Sequence, residues 1–98
     1  MIFKTILGKI KLTQARKKHI IKNHPIMETY LVNLKEVLEN PANVRYSNYN
    51  QNILLFYRFF DKIENGKYIV AVVDKVAKQV ITAYLTHKIK TGEKYEKE

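Results

Sequence analysis

Cysteine is absent from the 98 residues. That excludes disulfides and thiolate metal sites, and removes any sign of an oxidising compartment. Proline occurs twice and glycine three times, with no low-complexity run and nothing linker-like. No apolar stretch approaches the ~20 residues of a membrane-spanning helix. The start, MIFKTILGKIK, lacks a long apolar region and a small-residue cleavage site, and reads as mature protein rather than a signal peptide. The expected location is therefore the cytoplasm, with no membrane partner. The most telling absence concerns charge of one sign: no Asp or Glu precedes Glu28.

What is there fits one small domain, residues 1–98, with a core expected over 12–89 and a charged tail over 90–98. A chain of this length buries roughly 60–65% of its unfolded surface, enough for one sheet and two helices. The net charge is +9. The acid-free first segment carries Lys4, Lys9, Lys11, Arg16, Lys17, Lys18 and Lys22, while the remainder is close to balanced. A basic N-terminal third on a small domain favours a polyanionic partner, and nucleic acid is the commonest. The bland alternative is a solubility surface.

Along the chain, Thr13 is a plausible N-cap for a helix through QARKKHIIKN, only moderately amphipathic, on Leu12, Ala15, Ile20 and Ile21. Pro25 ends it and starts a second helix. There Ile26, Met27, Tyr30, Leu31, Leu34, Val37 and Leu38 recur at three- and four-residue steps up to the Asn40-Pro41 stop. The period then changes to two. Strands are expected near Asn43 to Tyr49, over Ile53 to Phe60, over Tyr68 to Asp74 and over Gln79 to His87, with an Asn65-Gly66 hairpin between the second and third. Short spacings imply antiparallel pairing. The expected fold class is α+β: two N-terminal helices on one face of a four-stranded antiparallel sheet, the other face open. The tail should be frayed.

In the last strand, Ile81, Ala83 and Leu85 should meet the helices and Thr82, Tyr84 and Thr86 should line the open face. This polar stripe is either a solvated surface or the floor of a phosphate site. Arg58 is the lone charge of its apolar strand, on the side of Leu54, Phe56 and Phe60. It is either snorkelling to water or a phosphate ligand, a role its planar fork suits. The histidines are His19, His24 and His87. Histidine is a common acid or base in metal-free RNA cleavage, although a surface histidine usually does nothing. His19 and His24 are five apart across a proline, which is not the helical pair of a zinc site. No acidic cluster suggests a magnesium nuclease, so no metal and no cofactor are expected. Most aromatics should fill the core. Tyr46, Tyr49, Tyr57 and Tyr84 are placed to stack on bases instead.

The pattern HIIKNHP, LVNLKEVLENPANV, ILLFYR, KYIVAVV and VITAYLTHKIKTGE resembles the phage-associated members of the barnase–EndoU–colicin–RelE-like nuclease superfamily. The resemblance rests on His19, His24-Pro25, Asn40-Pro41, Ile81 to Tyr84, Lys88 and Gly92-Glu93, and covers about Leu12 to Glu93. It implies the RelE- or barnase-like fold and metal-independent cleavage of RNA, in which a 2′-hydroxyl attacks its own phosphodiester. It implies His19, Arg58, Thr82 and Tyr84 as catalytic residues. His24, Thr86, His87 and Lys88 are secondary candidates, and many relatives have Arg at the position of Asn23. It further implies a toxin or phage-effector role, with tRNA, mRNA or rRNA as substrate and a cognate antitoxin or immunity protein as partner. Arg16, Lys17, Lys18 and Lys22, on the basic helix, would track flanking phosphates. Two other readings stand beside this one: a non-catalytic nucleic-acid-binding module using the same basic face, and a protein-interaction domain.

Overall fold

The computed structural model describes residues 1–90 and 92–95. They form an α+β fold whose elements are β1 (Ile2–Thr5), β2 (Gly8–Lys11), α1 (Gln14–Asn23), α2 (Met27–Tyr30), a 3₁₀ turn (Leu31–Asn33), α3 (Leu34–Glu39), β3 (Asn43–Tyr46), β4 (Ile53–Phe60), β5 (Lys67–Asp74) and β6 (Gln79–Thr86). The last four strands are the expected antiparallel meander. The sheet, however, has six strands among the described residues, in the order β1-β2-β6-β5-β4-β3.

The two extra strands correct the expectation of four. MIFKTILGKIK folds as a hairpin around the Thr5–Gly8 turn, where the Thr5 hydroxyl donates to the Gly8 carbonyl and accepts from the Leu7 amide. Gly8 takes φ +91, which glycine adopts without steric penalty. Each strand is only four residues long and turns few side chains inward, Phe3 and Ile10 chief among them. So short an alternation does not stand out in a sequence. The sheet is also mixed, because β2 meets β6 in parallel through Lys11 and Gln79. The short-connection rule does not reach this pair, since the whole domain lies between the two strands.

The helices form as the periodicity demands, with one break. Thr13 caps α1 by accepting from the Arg16 amide at 3.2 Å. Within α1 only Ile20 is buried, so a narrow seam holds the helix against β6. The second helix begins at Met27 rather than Pro25, and a 3₁₀ turn divides it. Leu31 and Leu34 are both buried, three residues apart, and a 3₁₀ turn eclipses side chains at that spacing. α3 packs across β1, β4 and β5. Glu39 at its end accepts the Lys4 backbone N–H at 3.0 Å, which occupies part of the open edge of the sheet.

The core lies between helices and sheet. It joins Phe3, Ile10, Ile20, Leu34, Leu38 and Phe56 to the inward rows of β5 and β6. A β-bulge changes the expected register of β6. Val72 pairs with Thr82 but Val73 pairs with Val80, leaving Ile81 as the extra residue. Val80 therefore joins Ala83 in the core, and Ile81 is only half-buried. A bulge inserts one residue and flips the side-chain alternation beyond it, so Val80 takes the place assigned to Ile81.

The opposite sheet face is not left open. After β6 the chain turns back across it as a strap. The Lys90 amide donates to the Tyr57 hydroxyl at 3.2 Å. At β3, Tyr46 N–H donates to the Glu93 carbonyl and Tyr95 N–H to the Val44 carbonyl, each at 2.8 Å. Arg45 Nη1 donates to the Gly92 carbonyl at 3.0 Å. Tyr57 and Val70 on this face are consequently buried. Residues 92–95 of the tail are thus ordered by backbone pairing rather than frayed, while Thr91 and residues 96–98 lie outside the described residues. No helix of the described residues is long and apolar enough to cross a membrane.

Candidate nucleic-acid site

The sheet itself separates Arg58 from two of the other expected site residues, Thr82 and Tyr84. Arg58 shares its side of β4 with buried Leu54 and Phe56, the helix-covered side. There its Nη1 donates to the Asn40 carbonyl at 2.6 Å and its Nε lies 3.3 Å from Glu36 Oε2. Tyr84 and Thr82 look out on the opposite face, in rows Tyr57–Val70–Tyr84 and Leu55–Val72–Thr82. A phosphate on Thr82 or Tyr84 is out of reach of Arg58. The expected set of Arg58 with Thr82 or Tyr84 is therefore not assembled, because strand parity sends alternate residues to opposite faces.

What the fold does assemble is a groove of about 460 Å³ at the end of β6. Three elements feed it: the end of α1 with Asn23 and His24, the β4–β5 hairpin with Glu64 and Lys67, and β6 with Tyr84, Thr86 and the following His87. His24 is the pivot. Its amide donates to the Ile20 carbonyl at 2.7 Å, closing α1, and its own carbonyl accepts the Met27 amide at 2.9 Å. Pro25 disfavours helical geometry at His24, which sits at φ −136, ψ 75. The result turns its half-buried ring onto Tyr84, with centroids 5.3 Å apart and planes tilted by 30°. The ammonium of Lys90, on the strap, lies 5.9 Å from the centroid of the same Tyr84 ring.

His19, the first choice among the histidines, is exposed one turn back on α1, and its Nε2 lies 2.9 Å from the Asn23 side-chain amide. Asn23 thereby links it to the groove without placing it inside. Thr86 donates its hydroxyl to the Lys88 carbonyl at 3.2 Å, so it presents its lone pairs rather than its proton. Lys88 is exposed and does not line the groove. Arg16, Lys17, Lys18 and Lys22 lie along α1 outside it. Thr82 lines a second groove, discussed below.

Sequence reasoning missed Lys67, Glu64 and Lys90. The Asn65-Gly66 turn held the signal for the first two. Glu64, Asn65 and Gly66 all take positive φ, and that tight turn places Lys67 one residue before Tyr68, which pairs with Thr86. Lys90 carried no comparable signal, because only the strap brings it over the sheet. Among the candidate stacking tyrosines, Tyr57 is buried and Tyr46 packs on Tyr95 at 5.5 Å. Tyr49 is 98% exposed. Burial raises the Tyr57 phenol above its ordinary value of 10.0, and the neighbouring Tyr84 adds to the rise. The Lys90 amide and the Lys90 and Arg45 charges oppose it. Among the described residues, no group of three or more His, Asp or Glu side chains is placed to hold a metal ion. Comparison with protein-family models, with curated proteins and with solved structures gives no significant match to this chain.

Proposed function

We propose that the protein is a metal-independent RNA endonuclease of the toxin or phage-effector kind, working at the His24–Tyr84 groove. The observation that carries this reading is the convergence of His24, Tyr84, His87 and Lys67 from three separate elements into one groove, on a chain of net charge +9. Two imidazoles can serve as the base and the acid of cleavage by an internal 2′-hydroxyl, and a phenol and cations can stabilise the charge that develops on the phosphate. The nuclease-superfamily resemblance of the sequence points the same way.

In this reading His24 takes the proton from the 2′-hydroxyl as its oxygen attacks phosphorus. The bond from phosphorus to the 5′ oxygen breaks, and His87 as imidazolium supplies that oxygen with a proton. The products are a 2′,3′-cyclic phosphate and a free 5′-hydroxyl. Tyr84 donates to a non-bridging phosphate oxygen, and Lys67 and Lys90 offset the charge that builds there. His19 positions the site through Asn23. Arg58 has no part in the chemistry and belongs to the scaffold.

The test is incubation of the purified protein with total RNA and with tRNA in EDTA, beside His24→Ala, Tyr84→Phe and Arg58→Ala. Fragments ending in a 2′,3′-cyclic phosphate are expected from the wild type and from Arg58→Ala. His24→Ala should lose 10²-fold or more of the rate, the usual worth of a general base. Intact RNA with salt-dependent retention would make the protein a binding module instead. Intact RNA with no retention would favour a protein partner.

A further inference from the structure

Tyr84 has two sides. One faces the His24 groove. The other borders a second groove of about 290 Å³ on the strap-crossed sheet face. Its floor is apolar and built by three neighbouring strand positions, Ile53, Leu55 and Val72. Leu55, Val72 and Thr82 stand in one register row, so the floor runs on to a hydroxyl. Tyr84, Lys90 and Tyr49, from the turn between β3 and β4, also line it. Among the described residues, no acidic side chain lines it.

Three features of this groove bear on what it could hold. Tyr49 is 98% exposed, so its ring contributes nothing to the core. Its backbone amide donates to the Ser47 hydroxyl at 3.2 Å, which fixes the turn that carries it. Second, the floor strands leave half-buried aliphatic side chains in a groove that two tyrosines also line. Third, the ammonium of Lys90 stands at the boundary with the His24 groove. An apolar floor lined by two tyrosines and a lysine, with no anion among the described lining residues, matches an unpaired nucleobase whose phosphate points to the cation. Base–aromatic stacking is tolerant of sequence and demands that the base be unstacked from its own helix.

We infer that this second groove, lined by Tyr49 and Tyr84, is a base-stacking subsite that holds a nucleotide neighbouring the one at His24, and that it selects single-stranded over duplex nucleic acid. The inference deepens the reading of the His24 groove as a nucleic-acid site. It does not depend on cleavage there, because stacking is a binding property.

The probe is a fluorescent 2′-O-methyl RNA hexamer, which has no free internal 2′-hydroxyl and cannot be cleaved by internal attack. Its binding is measured by anisotropy as a single strand and annealed to its complement, for the wild type, Tyr49→Ala, Tyr49→Phe and His24→Ala. Tyr49 is at the surface, so neither substitution threatens the fold. Single-strand binding should weaken at least about five-fold in Tyr49→Ala, the lower end for loss of a stacked base. Tyr49→Phe should stay within about two-fold of the wild type, since a phenyl ring stacks equally well. The annealed hexamer should bind more weakly than the single strand. Wild-type affinity in Tyr49→Ala, equal affinity for the duplex, or no binding by the wild type would each overturn the inference. Tyr49-dependent binding of a protein that cleaves no RNA would leave this subsite standing and remove the nuclease. Cleavage that depends on His24 but is indifferent to Tyr49 would do the reverse.

Discussion

Arg58 lies where α3 ends, and its guanidinium bridges the Asn40 carbonyl and the Glu36 carboxylate. Both side chains of the ion pair are more than a third exposed, so solvent screens it and the pair adds little by itself. The hydrogen bond to the Asn40 carbonyl adds a second tie at the end of α3. Arg58→Ala should therefore cost about 1 kcal/mol, read as a fall in Tm of about 4–8 °C for a domain of this size. RNA cleavage per folded molecule at low temperature should not change. A loss of rate with unaltered melting would return Arg58 to the chemistry. Tyr57 gives a second prediction at this scale. Its folded phenol holds its proton to higher pH than the unfolded one, chiefly through burial. Below the ordinary value near 10 both states are protonated and the contribution is complete. As pH rises, the unfolded chain ionises first, so stability falls until the folded phenol also ionises. Urea midpoints at pH 8 and pH 11 should drop more for the wild type than for Tyr57→Phe. Equal drops would mean that Tyr57 ionises alike in both states. Neither residue's role was legible from type alone. A lone arginine in an apolar strand fits a helix clamp and a phosphate ligand equally well, and only the parity of β4 against α3 separates them.

At the scale of elements, legibility followed period and length. The eight-residue strands β4 and β5 stood out as long apolar runs bounded by turn signals, β6 stood out by its alternation, and the stripe from Ile26 to Leu38 by its helical spacing. The four-residue β1 and β2 were hidden by their length, and their place beside β6 is a long-range contact with no local mark. The bulge at Ile81 was invisible because it depends on the partner strand. The strap was hidden by its charge. Lys90, Glu93 and Lys94 read as a solvated tail, yet backbone groups do the binding, and they look alike in every residue. Gly92 is the one local clue. A Cβ there would stand 2.6 Å from the Tyr46 carbonyl oxygen, a backbone atom that cannot swing aside. Gly92→Ala should lift the strap from β3 while the helix-covered core stays intact. Amide exchange at Tyr46 and Tyr95, which bond across this junction, should accelerate at least ten-fold, with exchange at Phe56 and Ala71 unchanged. Unaltered protection at both tyrosines would show that the strap is held by something other than this close approach.

For the molecule as a whole, the charge asymmetry and the grooves combine into one expectation about salt. The acid-free segment before Glu28 contains β1, β2 and α1, and α1 ends at the His24 groove. A strand of RNA with one nucleotide in that groove and the next against Tyr49 has its remaining phosphates free to run along α1. Lys18 and Lys22 are both exposed and four residues apart, hence on one side of the helix. Neutralising a phosphate releases a condensed counterion, so log K should fall linearly with log salt, with a slope of about −0.7 per contact for a single strand. Lys18→Gln with Lys22→Gln should reduce the magnitude of that slope by about 1.4 if both lysines contact phosphate. The affinity loss should be the same for oligonucleotides of different sequence, because phosphate contacts carry no base information. Tyr49→Ala, by contrast, should weaken binding and leave the slope as it was, since stacking releases no counterions. Titrations of the 2′-O-methyl hexamer between 50 and 200 mM salt separate the two effects on one plot: a parallel displacement for the ring, a change of gradient for the lysines. A double-lysine variant with the wild-type slope would move the track of the strand off α1, and with it the functional meaning of the acid-free N-terminal third.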